Sequence, residues 1–413
     1  MLLQQDIDIL RRLAWRRREI GELPEMEAKR LAFRRHNALT PGQPPLLLCF
    51  PEGAWQEIFP ENTLTCENPL ARAFELQLRR DIYWHDVLRD DAPFEPQFEV
   101  GWRVDFGSYG VEAQSLSGES RESRRLLSPI EDLKRDFHLL KDRQYQVDRR
   151  ATLDVAGRAM EWFGDLLPVA IRGGLIWSYG LTQEAIRLIG LENFMLDMID
   201  CPEQMHALMA YLLRQHMRLL DFFEEEGLLT LNNRADYVGS GGIGYIDELP
   251  GRPLGKNPHV TAKELWCLVE AQETVGISDD MFAEFVLPYQ KKLMERFGLV
   301  CYGCCEPLHT RWKYLKDIPN LRRVSVSPWC DQTVMGQVLP GRAVFSRKPL
   351  PTLLCSESFE EEAVRKDIRF TLEAARDCNL EIISKDTHTL CGQTWRLARW
   401  VELAREEIAA FYG

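Results

Sequence analysis

Leu46-Leu-Leu-Cys-Phe50 decides the fold. Five apolar residues stand in a row, without the alternation of a strand that shows one face to water. A strand that is apolar on both faces is buried on both, and such strands belong to parallel sheets covered by helices. Working outward, similar short runs recur. Strands are predicted at 46–50, 100–105, 168–171, 228–231, 299–303, 324–327, 343–346 and 380–384. Longer amphipathic segments separate them. One begins at Pro202 with a stripe of Met205, Leu208, Met209, Leu212 and Leu213 and ends at Gly227, a glycine suited to the left-handed residue after a helix. Thr261 with Glu264, and Ser358 with Glu361, have capping-box spacing. Strand–helix alternation over most of the chain means α/β, and the strand count with no evident linker favours a (β/α)8 TIM barrel.

Residues 1–40 read differently. Leu10, Leu13, Ala14 and Ile20 make one stripe among many arginines, which predicts a solvated N-terminal helical extension before a barrel domain at 41–413. The chain has 413 residues, enough to bury a large core without disulfides or metal. Its 51 Lys+Arg and 63 Asp+Glu give a net charge of −12, a poor balance for a general nucleic-acid binder. No apolar run approaches a membrane span. Asp6, Asp8, Arg11 and Arg12 interrupt the start before any signal-peptide core forms, and the 11 cysteines are odd in number and scattered. Together these predict a cytoplasmic protein with free thiols, no membrane partner and no nucleic-acid partner.

Gly239-Ser-Gly241-Gly-Ile-Gly244 matches G-x-G-x-x-G, but Pro250-Gly251 follow too soon for the helix that a dinucleotide site needs. It reads as a flexible loop beside the site. The densest chemistry is Cys301-Tyr-Gly-Cys304-Cys305-Glu306-Pro-Leu-His309, at the C-terminal end of a predicted strand. Asp386, His388 and Cys391 follow the last predicted strand. Three readings stay open: an open catalytic zinc site drawn from both groups, a closed structural zinc site, or buried thiols beside a helix start. Strand alternation would put Tyr302, Cys304 and Glu306 on one face and Cys301 on the other. Asn232, Asn233 and Asp236 follow a predicted strand and are candidates to orient a substrate. Trp55, Trp102, Tyr109, Trp177 and Tyr179 are candidate pocket walls.

These pieces occur in a telling order: Val169-Ala-Ile-Arg-Gly-Gly-Leu-Ile176, the helix from Pro202-Glu-Gln-Met-His, Ser278-Asp-Asp-Met-Phe through Pro288-Tyr289, Tyr302-Gly-Cys304-Cys305-Glu306, and Ile318-Pro-Asn-Leu-Arg-Arg-Val-Ser-Val-Ser-Pro328. Over roughly residues 150–411 the chain resembles the uroporphyrinogen decarboxylase-like superfamily, and within it the corrinoid-dependent methyltransferases. The resemblance implies a barrel with its site at the strand C-termini, and a methyl group moving between a small substrate and the cobalt of cobalamin on a separate small corrinoid protein. It implies zinc held by His-x-Cys after one strand and a Cys after the last. Here the His position falls on Tyr302, the Cys on Cys304, and the third ligand near Asp386. Only Cys304 matches, so Glu306 is the first substitute, followed by Cys305, Asp386 and His388.

On that reading Glu306, Tyr302 and Asp236 are the catalytic candidates, and Trp55, Asn232, Asn233 and Trp177 would bind substrate. The donor would be a methoxylated aromatic, a methylamine or a thiol, and a homodimer is left open. Neither Asp136-Phe-His138 nor Asp386-Thr-His388 is followed by the glycine of the cobalamin-binding signature Asp-x-His-x-x-Gly, so no corrinoid domain is expected within the chain. A porphyrinogen-type decarboxylase is the alternative enzyme. The Arg-Gln-Ala-Gly-Arg stretch of true decarboxylases is missing, and Glu52 would meet an anionic substrate poorly. A non-catalytic barrel binding a corrinoid or small ligand is the alternative outside catalysis.

Overall fold

The computed structural model describes residues 3–111, 114–117, 124–173, 176–253 and 260–413. The strands that position the site are β1 (Leu46–Cys49), β2 (Phe98–Gly101), β3 (Val169–Arg172), β4 (Tyr237–Val238), β5 (Gly242–Ile243), β6 (Trp266–Val269), β7 (Leu299–Tyr302), β8 (Leu321–Val326), β9 (Val344–Arg347) and β10 (Leu380–Ser384). Six form one parallel sheet in the order β1-β10-β9-β8-β7-β6. β2 and β3 form a separate parallel pair, and β4 and β5 an antiparallel hairpin. The parallel α/β sheet read from the apolar runs is present, and every residue of β1 is buried. The predicted strand at 228–231 joins no ladder. It lies against β3 through Thr230 N, which donates to Gly173 O at 3.3 Å.

One face of the sheet carries Leu47, Val300, Tyr302, Val324 and Ile382 into the main apolar core with the helices. The other face is covered by the β4–β5 hairpin. Leu48, Phe50 and Ile383 pack with Ile243 and Tyr245, and Leu299 and Cys301 with Val238 and Ile246. This is where the glycine motif belongs. It is a buried hairpin rather than a flexible loop, because the backbone is pressed onto the sheet. Gly239 has φ +71°, and a Cβ there would stand 2.8 Å from that of Cys301. A Cβ on Gly242 would stand 2.4 Å from the Arg323 guanidinium carbon.

The N-terminal segment is less solvated than its charge suggests. Helix α1 (Gln4–Glu22) buries Leu10, Ala14 and Ile20. Helix α2 (Pro24–Asn37) ends with His36 and Asn37 fully buried near the N-terminal ends of the strands. Asn37 donates to the carbonyls of Ile243 and Tyr245 at 2.9 and 2.8 Å, and Arg323 donates to its Oδ1 at 2.7 Å. Composition alone hides this, since most of these arginines are half-buried against the body of the protein and Arg17 is buried outright. The helix from Pro202 runs to Glu225, and Gly227 follows at φ +63°, as its sequence predicts. The Thr261–Glu264 capping box forms over one short turn. The Ser358 box does not, because that helix starts at Glu361 with Glu360 as its cap. Among the described residues no helix is long and apolar enough to cross a membrane.

Candidate functional site

Three strand ends converge beside the hairpin. β1 leads to Glu52, β7 to Cys304 and Cys305, and β10 to Lys385 and Asp386. Gly303, at φ +92°, ends β7 and breaks the alternation assumed for Tyr302, Cys304 and Glu306. The three therefore part company. Tyr302 points to the helix layer and donates its hydroxyl to Gln290 Oε1 at 2.6 Å, while Gln290 donates to the carbonyls of Gly180 and Glu270. Glu306 is wholly buried. Its Oε1 accepts from Ala271 N and its Oε2 from Cys304 N, both at 2.8 Å. It braces the turn that carries Cys304.

Cys304 turns the other way, to the hairpin. Its Sγ accepts from Ser240 Oγ at 3.5 Å and lies 3.6 Å from Cys305 Sγ. Ser240 Oγ in turn accepts from Lys385 Nζ at 3.4 Å. Lys385 is 3.8 Å from Glu52 Oε1 and 3.8 Å from Asp386 Oδ1, with its side chain only 6% exposed. An ammonium, a hydroxyl and a sulfur thus stand in one hydrogen-bonded line. The Cys305 contact draws the Cys304 thiol down to about 7, and Ser240 and Lys385 add to it against the opposing effect of burial. The Cys304 contact, with burial, pushes Cys305 up. Burial would lower the Lys385 ammonium, but Tyr237, Asp386, Cys304 and Glu52 outweigh it and raise it.

Among the described residues no group of three His, Cys, Asp or Glu side chains is placed to hold a metal ion. The donors named for zinc are dispersed. Glu306 is taken by two amides. Asp386, at φ +58°, has its backbone N–H bound to Glu52 Oε2 at 2.5 Å, and His388 is exposed. Only Cys304 and Cys305 lie together. The residues as arranged do not fit a zinc ion.

The substrate-binding candidates divide as well. Trp177 borders a cavity of about 250 Å³ with Phe106, Arg143, Ser178, His216 and Glu270. It also borders a smaller one of about 50 Å³ that reaches Asn232, Tyr237 and Gly239. A third cavity, about 350 Å³, lies on another side of Tyr237 among Phe50, Trp84 and Phe94. Burial, with the charges of Glu273 and Glu306, raises the Glu270 carboxyl to about 9, so it carries a proton at neutral pH. The other candidates are held by the scaffold. Asn232 bonds both the N–H and the carbonyl of Trp266, at 2.9 and 3.0 Å. Asn233 donates to Leu249 O, and Asp236 is paired with Arg172. Trp55 is buried in an aromatic cluster, 6.0 Å from Phe59 and 5.9 Å from Tyr83 between ring centres.

Ser240, Tyr237 and Lys385 escaped the sequence reading. Lys385 directly follows the last predicted strand, so the reasoning that singled out Asp386 applies to it equally. Ser240 sits inside the glycine motif, where attention went to the glycines.

No family model and no curated protein matches the sequence. Among solved structures the fold is similar to that of a methyltransferase from Methanosarcina mazei, with a TM-score of 0.50 and 11% identity, over 93% of this chain and 99% of that one. At that identity the likeness is one of fold.

Proposed function

We propose that this chain is a methyltransferase on a (β/α)8 barrel, moving a methyl group between a small substrate and the cobalt of a corrinoid held by a separate protein. The observation that carries this reading is the coincidence of two things. The fold likeness to a protein described as a methyltransferase runs along nearly the whole chain, and a thiol-bearing cluster stands at the C-terminal ends of the parallel strands, where barrel enzymes do their chemistry. Closure of the barrel is supported by the contacts beside the six-strand sheet: Thr230 N to Gly173 O, and Tyr179 N to Leu268 O at 2.8 Å. On this reading the β2–β3 pair and the extended segment after Gly227 fill the gap beside the six-strand sheet.

The cavities flanking Trp177 and Tyr237 suit a methylated aromatic, amine or thiol rather than a macrocycle, so the corrinoid stays outside on its carrier. In the demethylating direction the corrinoid cobalt would accept the methyl group, and the substrate heteroatom would leave with the electron pair of the broken carbon–heteroatom bond. The chain's part is to orient the substrate, exclude water and meet that charge with fixed donors.

The test is methyl transfer to added cob(I)alamin, followed by its absorbance, across methoxylated aromatics, methylamines and methyl thioethers. Turnover of one class, reduced roughly 100-fold in Cys304→Ser, supports the reading. No turnover of any donor, with or without a corrinoid protein, overturns it.

A further inference from the structure

The donors that the resemblance names for zinc are not gathered in this chain, and another cation stands among them. The resemblance places a metal ion between the ends of β7 and β10. The side chain found there is Lys385. Its ammonium lies 3.4 Å from Ser240 Oγ and 3.8 Å from one carboxylate oxygen each of Glu52 and Asp386, and it is almost sealed from solvent. Ser240 bridges it to Cys304 Sγ, 3.5 Å further on. The surroundings are anions and acceptors gathered from three strand ends and the hairpin, which is the environment a cation needs. An ammonium with three donors meets that need through hydrogen bonds rather than through coordination.

The same arrangement leaves little for a metal. Zinc asks for about four nitrogen, oxygen or sulfur donors at about 2.0–2.3 Å. Only the Cys304 and Cys305 sulfurs stand together, 3.6 Å apart, and Glu306 spends both oxygens on backbone amides. A divalent ion beside them would also face the nearly sealed Lys385 charge across Ser240, and like charges repel.

We infer that the resident cation of this site is the Lys385 ammonium, in place of a metal ion, and that the site is built to pair an ammonium with the Cys304 thiol through Ser240. The ligand such a site takes is a soft group or an anionic oxygen or sulfur. Divalent cations are rejected. This does not rest on methyl transfer, so it stands or falls separately from the proposed activity.

Cobalt(II) titration of the full-length protein, kept reduced with a phosphine, tests it through the thiolate-to-cobalt absorption. The wild-type chain is expected to show no such band at one equivalent. Lys385→Ala removes the ammonium and should gain cobalt affinity by roughly 10-fold or more, with a band that is lost again on adding Cys304→Ser. Lys385→Arg keeps the charge and should behave as wild type. A wild-type band at one equivalent that Cys304→Ser abolishes, or purified protein holding one zinc per chain through Cys304, overturns the inference. A folded Lys385→Ala that gains no cobalt affinity does so too. Should Lys385→Ala fail to fold, the wild-type titration decides alone.

Discussion

Arg323 and Glu381 face one another across β8 and β10 with both side chains sealed from water, guanidinium Nε to carboxylate Oε1 at 2.9 Å. Burial would raise the Glu381 carboxyl. Arg323, with His36 and Lys348, outweighs it and holds the group down at about 2. Breaking a buried pair from one side strands the other charge, so Arg323→Met should cost about 3–5 kcal/mol in urea unfolding, and Arg323→Met with Glu381→Met should recover most of it. Glu381 binds its proton less readily folded than unfolded. Its contribution is therefore complete above the ordinary value of 4.5 and is lost as pH falls toward about 2. Acid unfolding of Glu381→Gln should lack that limb.

Lys348 lies next to that pair, but there burial prevails over the neighbouring charges. Burial is the main cause that lowers its ammonium from 10.5 to about 7. Between those two values the unfolded chain holds a proton that the folded chain has released. Stability should consequently rise with pH from about 7 to 10.5 in the wild type, and Lys348→Met should flatten the slope. Chemical denaturation at a series of pH values, wild type against variant, reads this directly. Parallel curves would show that the lysine keeps its proton inside.

Alkylation of Cys304 should reach half its limiting rate near pH 7, since its thiol is drawn down from 9.0 to about 7. Ser240→Ala removes one donor to the sulfur and should move the profile to higher pH. Peptide mass spectrometry separates Cys304 from Cys305, whose profile lies higher, and from exposed Cys391. Equal profiles for Cys304 and Cys305 would contradict the described contacts.

Glu306→Gln turns one acceptor oxygen into a donor facing a backbone N–H of Ala271 or Cys304. A stranded buried donor costs about 1–3 kcal/mol, so the melting temperature should fall. A metal-ligand role predicts the reverse signature: an unchanged melting temperature in metal-free protein and lost metal affinity. Calorimetry on metal-free protein discriminates.

The parallel sheet was legible because continuous apolar runs such as Leu46 to Phe50 have no other stable home. That Cys304 and Asp386 stand just beyond strand ends was legible too, since both follow predicted strands. What was not legible was orientation. One glycine, Gly303, sends Cys304 away from Tyr302 and Glu306, and period-two counting has no means of seeing a positive φ. The hairpin at 237–243 was unreadable for another reason. Its glycines answer to Arg323 and Cys301, residues far along the chain, so their meaning exists only once the sheet has formed.

β1 and β10 are hydrogen-bonded neighbours, with Leu46 opposite Glu381 and Cys49 opposite Ser384. During synthesis β1 emerges long before its partner. At about 5–20 residues per second, the roughly 335 residues between them take on the order of 20–70 s to appear. For that interval the apolar Leu46–Cys49 segment lacks the strand it pairs with, and Ile383 is absent from the floor beneath the hairpin. A growing chain in this state offers a template for mispairing with its neighbours on the same messenger. Loss of residues 384–413 would remove Lys385 together with the helix Trp395–Tyr412 that packs on β1.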